Sequence, residues 1–167
     1  MIIEYPKKIL LATDATEDST KAANVATALA GRAGSELHVV HVGRPTASAA
    51  GGTAMRPPLP GEPPGYAERQ ALKLLDRQVE QVEAAGGGVA EAHLRMGQPA
   101  AEIIALAVEL GADLLVVGSG GPRPVRRAVA ATTRQAVIGR ASGVIVRSAP
   151  CPVLVVRGEG LLDAPDV

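Results

Sequence analysis

The stretch that decides the fold runs from Leu114 to Gly121 and reads LLVVGSGG. Consecutive apolar side chains of this kind are typical of a strand buried on both faces, as in a parallel sheet. Glycines directly after such a strand allow backbone N–H groups to approach an anion closely. We therefore expect a buried strand that ends in a turn suited to phosphate.

Other apolar runs predict further strands of the same sheet: Lys8–Thr13, Glu36–Val42, Val89–Met96 and Pro152–Val156. The run Val89–Met96 is more polar than the others, which favours a place at the sheet edge. Helical patterns alternate with these strands, and this alternation predicts right-handed crossovers and a parallel sheet covered on both faces. Such sheets bind ligands at the carboxyl ends of strands, where the strand order reverses.

Apolar residues at helical spacing predict the intervening helices. Asp18 or Ser19 is expected to cap the first helix, and Gly34 to end it. The third helix is expected to begin at Pro99 and to close at Gly111. The second helix is marked by Leu72, Leu75, Val79 and Val82.

The composition indicates one soluble domain. A chain of 167 residues can bury one continuous core, and the absence of Phe and Trp excludes aromatic platforms for single-stranded nucleic acid. Lys plus Arg and Asp plus Glu both number 17, so no net charge attracts the protein to DNA or to an anionic membrane. We see no signal peptide and no apolar run of the roughly 20 residues that span a bilayer. A cytoplasmic location is expected.

The proline- and glycine-rich segment from Gly43 to Gly65 has no periodic apolar face. We expect a long surface loop there, poorly ordered and dispensable for folding. A short tail is expected after about residue 158, so that residues 1–167 form a single domain with one loop and one tail.

Positive charge is concentrated in the last third of the chain. No acidic residue occurs between Leu114 and Gly158. This distribution favours a polyanion at the glycine turn, although a simple tight turn followed by solvated helix faces explains it equally well. The arginines in this segment are Arg123, Arg126, Arg127, Arg134, Arg140, Arg147 and Arg157.

Several catalytic motifs are excluded. The Walker pattern is absent, Arg123 replaces the third glycine of GxGxxG, and Val117 replaces the first glycine of GxSxG, so Ser119 is a poor nucleophile. No pair of residues forms an evident general base and nucleophile, which argues against an enzyme.

The histidines do not suggest a metal site. His38 and His41 are three residues apart on one strand and point to opposite faces, and His93 is distant in sequence, so we expect no metal cluster. The single cysteine, Cys151, lies between two prolines and is interpreted as a small buried residue.

Asp14, at the end of the first strand, has two explanations of equal weight. Its carboxylate could bind a ribose hydroxyl, because adjacent strands would bring it near Gly118. It could instead satisfy backbone donors at the start of the following helix.

Several blocks of the sequence resemble the universal stress protein family: KKILLATDATEDS, ELHVVHV, GQPAAEIIALAVELGADLLVVGS and SAPCPVLVVR. The resemblance covers nearly the whole chain. It implies a single-domain α/β fold, an open five-stranded parallel sheet of Rossmann-like (adenine nucleotide alpha hydrolase-like) type with helices on both faces. It also implies a homodimer joined through the last strand, Cys151 to Arg157.

Many family members bind ATP through a pattern written GxxGx9G[ST]. Gly118 and Gly121 match its first half. Counting nine residues onward reaches Ala131 and Thr132, which lack the glycine. Counting back from the last strand instead makes Gly139 the glycine and places Arg140 at the Ser/Thr position, and we prefer this register because it preserves the length of the helix before that strand.

The resemblance therefore implies an ATP site, with or without Mg²⁺. Ala12, Thr13 and Asp14 would border adenine and ribose, and Val42 would offer backbone atoms to the adenine. Arg140 could bind the polyphosphate or fill its space. The full set of expected site residues is Ala12, Thr13, Asp14, Val42, Val117, Gly118, Gly121, Gly139, Arg140 and Ser142.

These observations leave competing functions. The first is an ATP-binding regulatory homodimer of the stress response, with at most slow ATP hydrolysis. The alternative is a family member that has lost nucleotide binding and acts as a dimeric interaction module, as the degenerate second half of the motif suggests. An adenine nucleotide alpha hydrolase is disfavoured, because its SGGxDS loop would follow the first strand rather than the fourth.

Overall fold

The computed structural model describes residues 5–46, 59–120 and 139–157. Gly121 and most of the predicted proline-rich loop lie outside these ranges. The described chain alternates strands and helices in the order β1 (Lys8–Thr13), α1 (Glu17–Ala33), β2 (Glu36–Gly43), α2 (Tyr66–Ala84), β3 (Glu91–Met96), α3 (Pro99–Leu110), β4 (Leu114–Gly118), α4 (Arg140–Ser148) and β5 (Val153–Val156).

The strands form one parallel sheet in the order β3-β2-β1-β4-β5. This arrangement confirms the predicted fold class, and it places β3 at an edge as its polar sequence indicated. Chain order proceeds outward from β1 through β2 to β3, whereas β4 and β5 lie on the other side. The strand order therefore reverses between β1 and β4, where parallel α/β sheets form their ligand crevice.

The alternation of side chains along β1 divides the core into two layers. Ile9 and Leu11 point toward α1 and α2, whereas Leu10 and Ala12 point toward α3 and α4. Ile9, Leu10 and Leu11 are completely buried. Each buried aliphatic side chain contributes about 1.5 to 3 kcal/mol, so the core needs no aromatic residues.

The start of α1 differs from the prediction. Its N-cap is Thr16, whose hydroxyl accepts a hydrogen bond from the Ser19 N–H at 3.3 Å. Asp18 and Ser19, the predicted caps, lie inside the first turn with buried side chains. That prediction was wrong because the Asp18 carboxylate accepts from the Ser119 hydroxyl and the Ser19 hydroxyl donates to the Thr16 carbonyl.

The predicted helix ends were placed correctly. Gly34 and Gly111 follow α1 and α3 with left-handed φ values of 69° and 62°, as expected for glycine caps. In α2, Leu75 and Val82 are buried, but Leu72 is exposed and does not belong to the core. Gly43 also differs from the prediction, because it is the buried last residue of β2 rather than the start of the loop.

Membrane insertion of a helix finds no support in the described ranges. None of the helices there combines the length and the apolar character that a membrane crossing requires.

Candidate functional site

The turn after β4 and the start of α4 meet at the carboxyl edge of the sheet. The Gly139 N–H donates to the Ser119 carbonyl at 2.7 Å. The Ser142 hydroxyl donates to the Gly118 carbonyl at 2.8 Å. Gly139, the glycine of the preferred register, thus lies against the glycine turn, whereas Ala131 and Thr132 of the other register lie outside the described residues.

Gly120 brings the turn close to α4. Its φ of 67° is left-handed, and an added Cβ would lie 3.2 Å from Ser142 Oγ and 3.7 Å from Gly139 Cα. Glycine adopts this conformation without strain and leaves the space between turn and helix open. The turn therefore requires glycine at position 120 for both its backbone conformation and its close approach to α4.

The N-terminus of α4 has the properties of an anion site. Its N-cap is Gly139, a residue without a side chain that could cap the helix. The first N–H groups of a helix lack intrahelical partners and carry the positive end of its dipole. Arg140 is the exposed first residue of α4 and Ser142 is buried in its first turn. A phosphate placed here would meet backbone donors beside an N-cap residue that has no side chain.

Gly118 is constrained by packing against α1. A Cβ at this position would lie 3.0 Å from the Asp18 carbonyl carbon, 3.0 Å from the Ser19 nitrogen and 3.1 Å from Asp18 Cβ. Two of these are backbone atoms, which cannot rotate away. From the sequence, Gly118 is expected either to allow phosphate approach or to form a simple tight turn, and its packing against α1 is a further requirement for glycine.

Ser119 is held on both sides. Its N–H donates to the Val156 carbonyl at 2.9 Å, and its hydroxyl donates to Asp18 Oδ2. Both side chains are buried. The contact joins the turn after β4 to the first turn of α1, so an acidic side chain lies directly behind the glycine turn.

The end of β1 is organised by Thr13. Its buried hydroxyl donates to Gln78 Oε1 at 2.7 Å, which connects β1 to α2. His41 Nδ1 donates to the Thr13 carbonyl at 2.9 Å. Because a carbonyl oxygen only accepts, Nδ1 carries the proton. Thr13 therefore lies at the carboxyl edge of the sheet, as predicted, and its hydroxyl is already hydrogen-bonded to Gln78.

Asp14 is exposed and supports the start of α1. Its Oδ1 accepts hydrogen bonds from the Thr16 N–H at 3.0 Å and from the Thr16 hydroxyl at 2.6 Å. Between them Ala15 has a left-handed φ of 62°. Asp14 thus positions the residue that caps α1, and its role as a ribose partner stays a prediction.

A cavity of about 200 Å³ lies beside the end of β2. Val42 lines it, as do residues of α2. The glycine at position 43 permits this close packing, because a Cβ there would lie 2.6 Å from Ala71 Cβ. The lining residues are His41, Val42, Gly43, Arg44, Ala67, Gln70, Ala71 and Leu74.

Ala12 and Val117 are buried, so a ligand at this edge would meet their backbone rather than their side chains.

Sequence reasoning missed two buried polar contacts, Thr13 with Gln78 and Asp18 with Ser119. A signal existed for Gln78, since it lies on the apolar stripe of α2, three residues after Leu75. No local signal could identify the second contact, because its partners are 101 residues apart.

His93 is distant from His38 in sequence but lies beside it in the structure. Parallel pairing of β2 with β3 sets His38 opposite Glu91 and Val40 opposite His93. His38 Nδ1 consequently lies 3.2 Å from His93 Nε2. Burial lowers the pKa of His93, and the neighbouring Glu91 carboxylate partly opposes this effect.

The open parallel sheet, whose strand order reverses between β1 and β4, defines the class as a doubly wound α/β protein. Residues 6–157 match the model of the universal stress protein family. The chain therefore belongs to the universal stress protein family.

Curated relatives agree with this assignment, and solved structures agree with the fold. Universal stress protein YxiE of Bacillus subtilis is 34% identical over 90% of this chain and 98% of the relative. A Thermus aquaticus universal stress protein is similar to the same extent. A universal stress protein crystallised with cAMP has a TM-score of 0.66 at 20% identity, covering 90% of this chain and 96% of that one. One from Archaeoglobus fulgidus, in complex with dAMP, has a TM-score of 0.61 at 19% identity, covering 92% and 99%.

Proposed function

We propose that this chain is a regulatory protein of the cytoplasmic stress response that binds ATP and signals as a homodimer. The observation that carries the proposal is the contact of the Ser119–Gly120 turn with the N-terminus of α4, whose N-cap is a glycine, at the switch point of the sheet. Similar solved structures contain cAMP and dAMP, which makes an adenine nucleotide the natural ligand to test.

In this proposal the polyphosphate lies on the first turn of α4. Backbone N–H groups there supply neutral donors, and Arg140 supplies a charge at the position where the family pattern has a hydroxyl. Hydrogen bonds from arginine to phosphate are about twice as strong as neutral ones, so Arg140 can replace the lost hydroxyl. Asp14 would receive a ribose hydroxyl. The adenine would enter the cavity beside Val42, about 200 Å³ in volume.

We further propose that the protein signals by binding and does not turn ATP over quickly. The buried hydroxyls at this edge already donate to protein acceptors: Thr13 to Gln78, Ser119 to Asp18 and Ser142 to Gly118. All three side chains are also buried, which leaves their hydroxyls poorly accessible to a phosphate.

A second candidate function is a dimeric interaction module without nucleotide. Two observations favour it. The buried Asp18 carboxylate behind the glycine turn disfavours a polyanion, and Arg140 occupies the place of a small hydroxyl residue. In that case the Arg140 side chain would fill the phosphate position.

Calorimetric titration with ATP separates the two candidates. We expect wild-type binding near the micromolar range, a free energy of roughly 8 kcal/mol. Arg140→Glu should strongly weaken binding, because it places a negative charge beside the phosphates. Arg147→Glu is the matched control, since Arg147 lies in the last turn of the same helix. Equal effects of the two variants would contradict a direct phosphate contact at position 140.

Arg140→Ser and the Asp14 variants complete the test. If wild type gives no heat with ATP and Arg140→Ser gains binding, the interaction module is the correct function. If wild type binds, Asp14→Ala should weaken binding by about 1 to 3 kcal/mol through lost ribose hydrogen bonds. Asp14→Asn keeps an oxygen acceptor for Thr16, and it separates loss of charge from loss of helix capping. Mass spectrometry of the denatured protein would identify any nucleotide retained through purification.

The proposed dimer uses the edge strand β5. The carbonyls of Pro152 and Val156 bond to β4, so the intervening odd-numbered residues present their backbone groups outward. The backbone groups of an edge strand can pair with a strand of a second chain. We infer that Val153 and Val155 face the partner chain.

A further inference from the structure

A cluster of histidines and acidic residues lies on β2 and β3, away from the nucleotide edge. His38 alternates with the core residues Leu37 and Val39, so it points to the side of the sheet that α3 covers. Glu91 and His93 are two residues apart on β3 and point to the same side. The pairing of these two strands therefore gathers two imidazoles and a carboxylate on one face.

The distances within the cluster suit a common cation. His38 Nδ1 and His93 Nε2 are 3.2 Å apart, and His93 Nε2 lies 3.8 Å from Glu91 Oε2. The ligand atoms of all three residues lie within 4.8 Å of one another. Two nitrogen ligands of a tetrahedral Zn²⁺ are separated by about 3.3 Å, given Zn–N bonds of about 2.0 to 2.1 Å.

A further carboxylate orients one of the imidazoles. Glu36 Oε2 lies 3.5 Å from His38 Nε2, the nitrogen that faces away from His93. Metal-binding histidines commonly donate their second N–H to a carboxylate, which fixes the ring and makes the other nitrogen a better ligand. Glu36 can thus keep the proton on His38 Nε2, which leaves Nδ1 unprotonated and directed toward His93 and Glu91.

The cluster is also accessible. The His38 and His93 side chains are 7% and 12% exposed, whereas Glu36 and Glu91 are 60% and 63% exposed. The imidazoles are therefore held by packing, and the carboxylates open to solvent at the edge formed by β3. An ion can enter from that side, and water can complete its coordination.

A hydrogen bond between two neutral imidazoles is the simpler explanation of the contact. One ring would donate N–H and the other would accept, and 3.2 Å is compatible with such a bond. In that explanation Glu36 still fixes the His38 ring, but Glu91 has no role. A metal site explains why all four side chains lie together. Whether the chain binds Zn²⁺ distinguishes the two explanations.

We propose that His38, His93 and Glu91 bind a divalent transition-metal ion such as Zn²⁺, with Glu36 as the residue that positions His38. The ion clamps the edge strand β3 to β2. His38 precedes His41 by three residues, about 10 Å along the strand, so the ion does not touch the proposed nucleotide. This site therefore does not depend on ATP binding.

The probe is Zn²⁺ added to the full chain without a histidine tag, with bound metal measured by equilibrium dialysis. We expect one ion per chain. His38→Gln and His93→Gln should each remove binding, and Glu36→Gln should lower the affinity roughly 10- to 100-fold. His41→Gln serves as control because His41 lies on the same strand but on the opposite face. Cys151→Ser should bind as wild type, since its thiol lies outside the cluster.

A spectroscopic readout tests the ligand set. Co²⁺ in place of Zn²⁺ should show the intense visible absorption of a four-coordinate ion, and this absorption should be lost in His93→Gln. Glu91→Gln is the variant of choice if the histidine variants fail to fold, because Glu91 is exposed. Loss of affinity in Glu91→Gln supports the site. The proposal is overturned if wild type binds no Zn²⁺, if Glu91→Gln binds as wild type, or if binding disappears in Cys151→Ser.

Discussion

Replacing Gly118 by alanine tests whether this glycine is required for packing as well as for ligand approach. The added Cβ would lie 3.0 Å from the Asp18 carbonyl carbon and from the Ser19 nitrogen. Since both are backbone atoms of α1, the variant must displace the first turn of that helix. Overpacking a well-packed site costs about 1 to 3 kcal/mol.

The expected result is a less stable protein with the same fold. For a chain of this size each kcal/mol corresponds to about 2 to 4 °C, so Tm should fall by roughly 2 to 12 °C. The displaced turn carries Asp18, and the Asp18–Ser119 contact should weaken with it. Urea denaturation followed by circular dichroism measures the midpoint of unfolding. An unchanged slope of the unfolding free energy against urea concentration would show that variant and wild type expose the same surface on unfolding.

Gly31→Ala is the matched control. Gly31 lies in α1, and a Cβ at this position would meet nothing within 4 Å. Alanine there should stabilise the protein by about 0.5 to 1 kcal/mol, because glycine is a poor helix former. The reasoning is refuted if Gly118→Ala is as stable as wild type while Gly31→Ala shows its expected gain.

Further predictions concern the buried polar contact, the cysteine and the sheet edge. Thr13→Val should cost about 1 to 3 kcal/mol in denaturation experiments because it leaves Gln78 Oε1 buried without its donor, and Thr13→Val with Gln78→Leu should cost less than the sum of the single variants. Cys151 should react more slowly with iodoacetamide than a small free thiol at the same pH, because burial and the nearby Asp113 raise the pKa of its thiol; a faster reaction would contradict the assigned environment. Val155→Pro should convert the proposed dimer to a monomer in sedimentation while the fold persists, because the missing N–H points away from β4. A wild-type monomer at micromolar concentration would refute the dimer itself.

The order of strands and helices could be predicted because their signals are local. The apolar run of β4 and the alternating strand and helix patterns depend on neighbours within a few residues, and the parallel sheet with β3 at its edge follows from them. The glycine turn after β4 was likewise visible, since glycine marks left-handed conformations such as that of Gly120.

Tertiary structure decided the contacts that join distant segments. The register of β2 with β3 brings together His38 and His93, which are 55 residues apart, and the close packing of α1 on β4 joins Asp18 to Ser119. The position of α1 decides whether Gly118 faces a ligand or a helix. It also decides whether Asp18 caps a helix or accepts a hydrogen bond from a buried hydroxyl. Periodicity specifies which face of an element is apolar, but the neighbour that covers that face is selected by the pairing of the whole sheet.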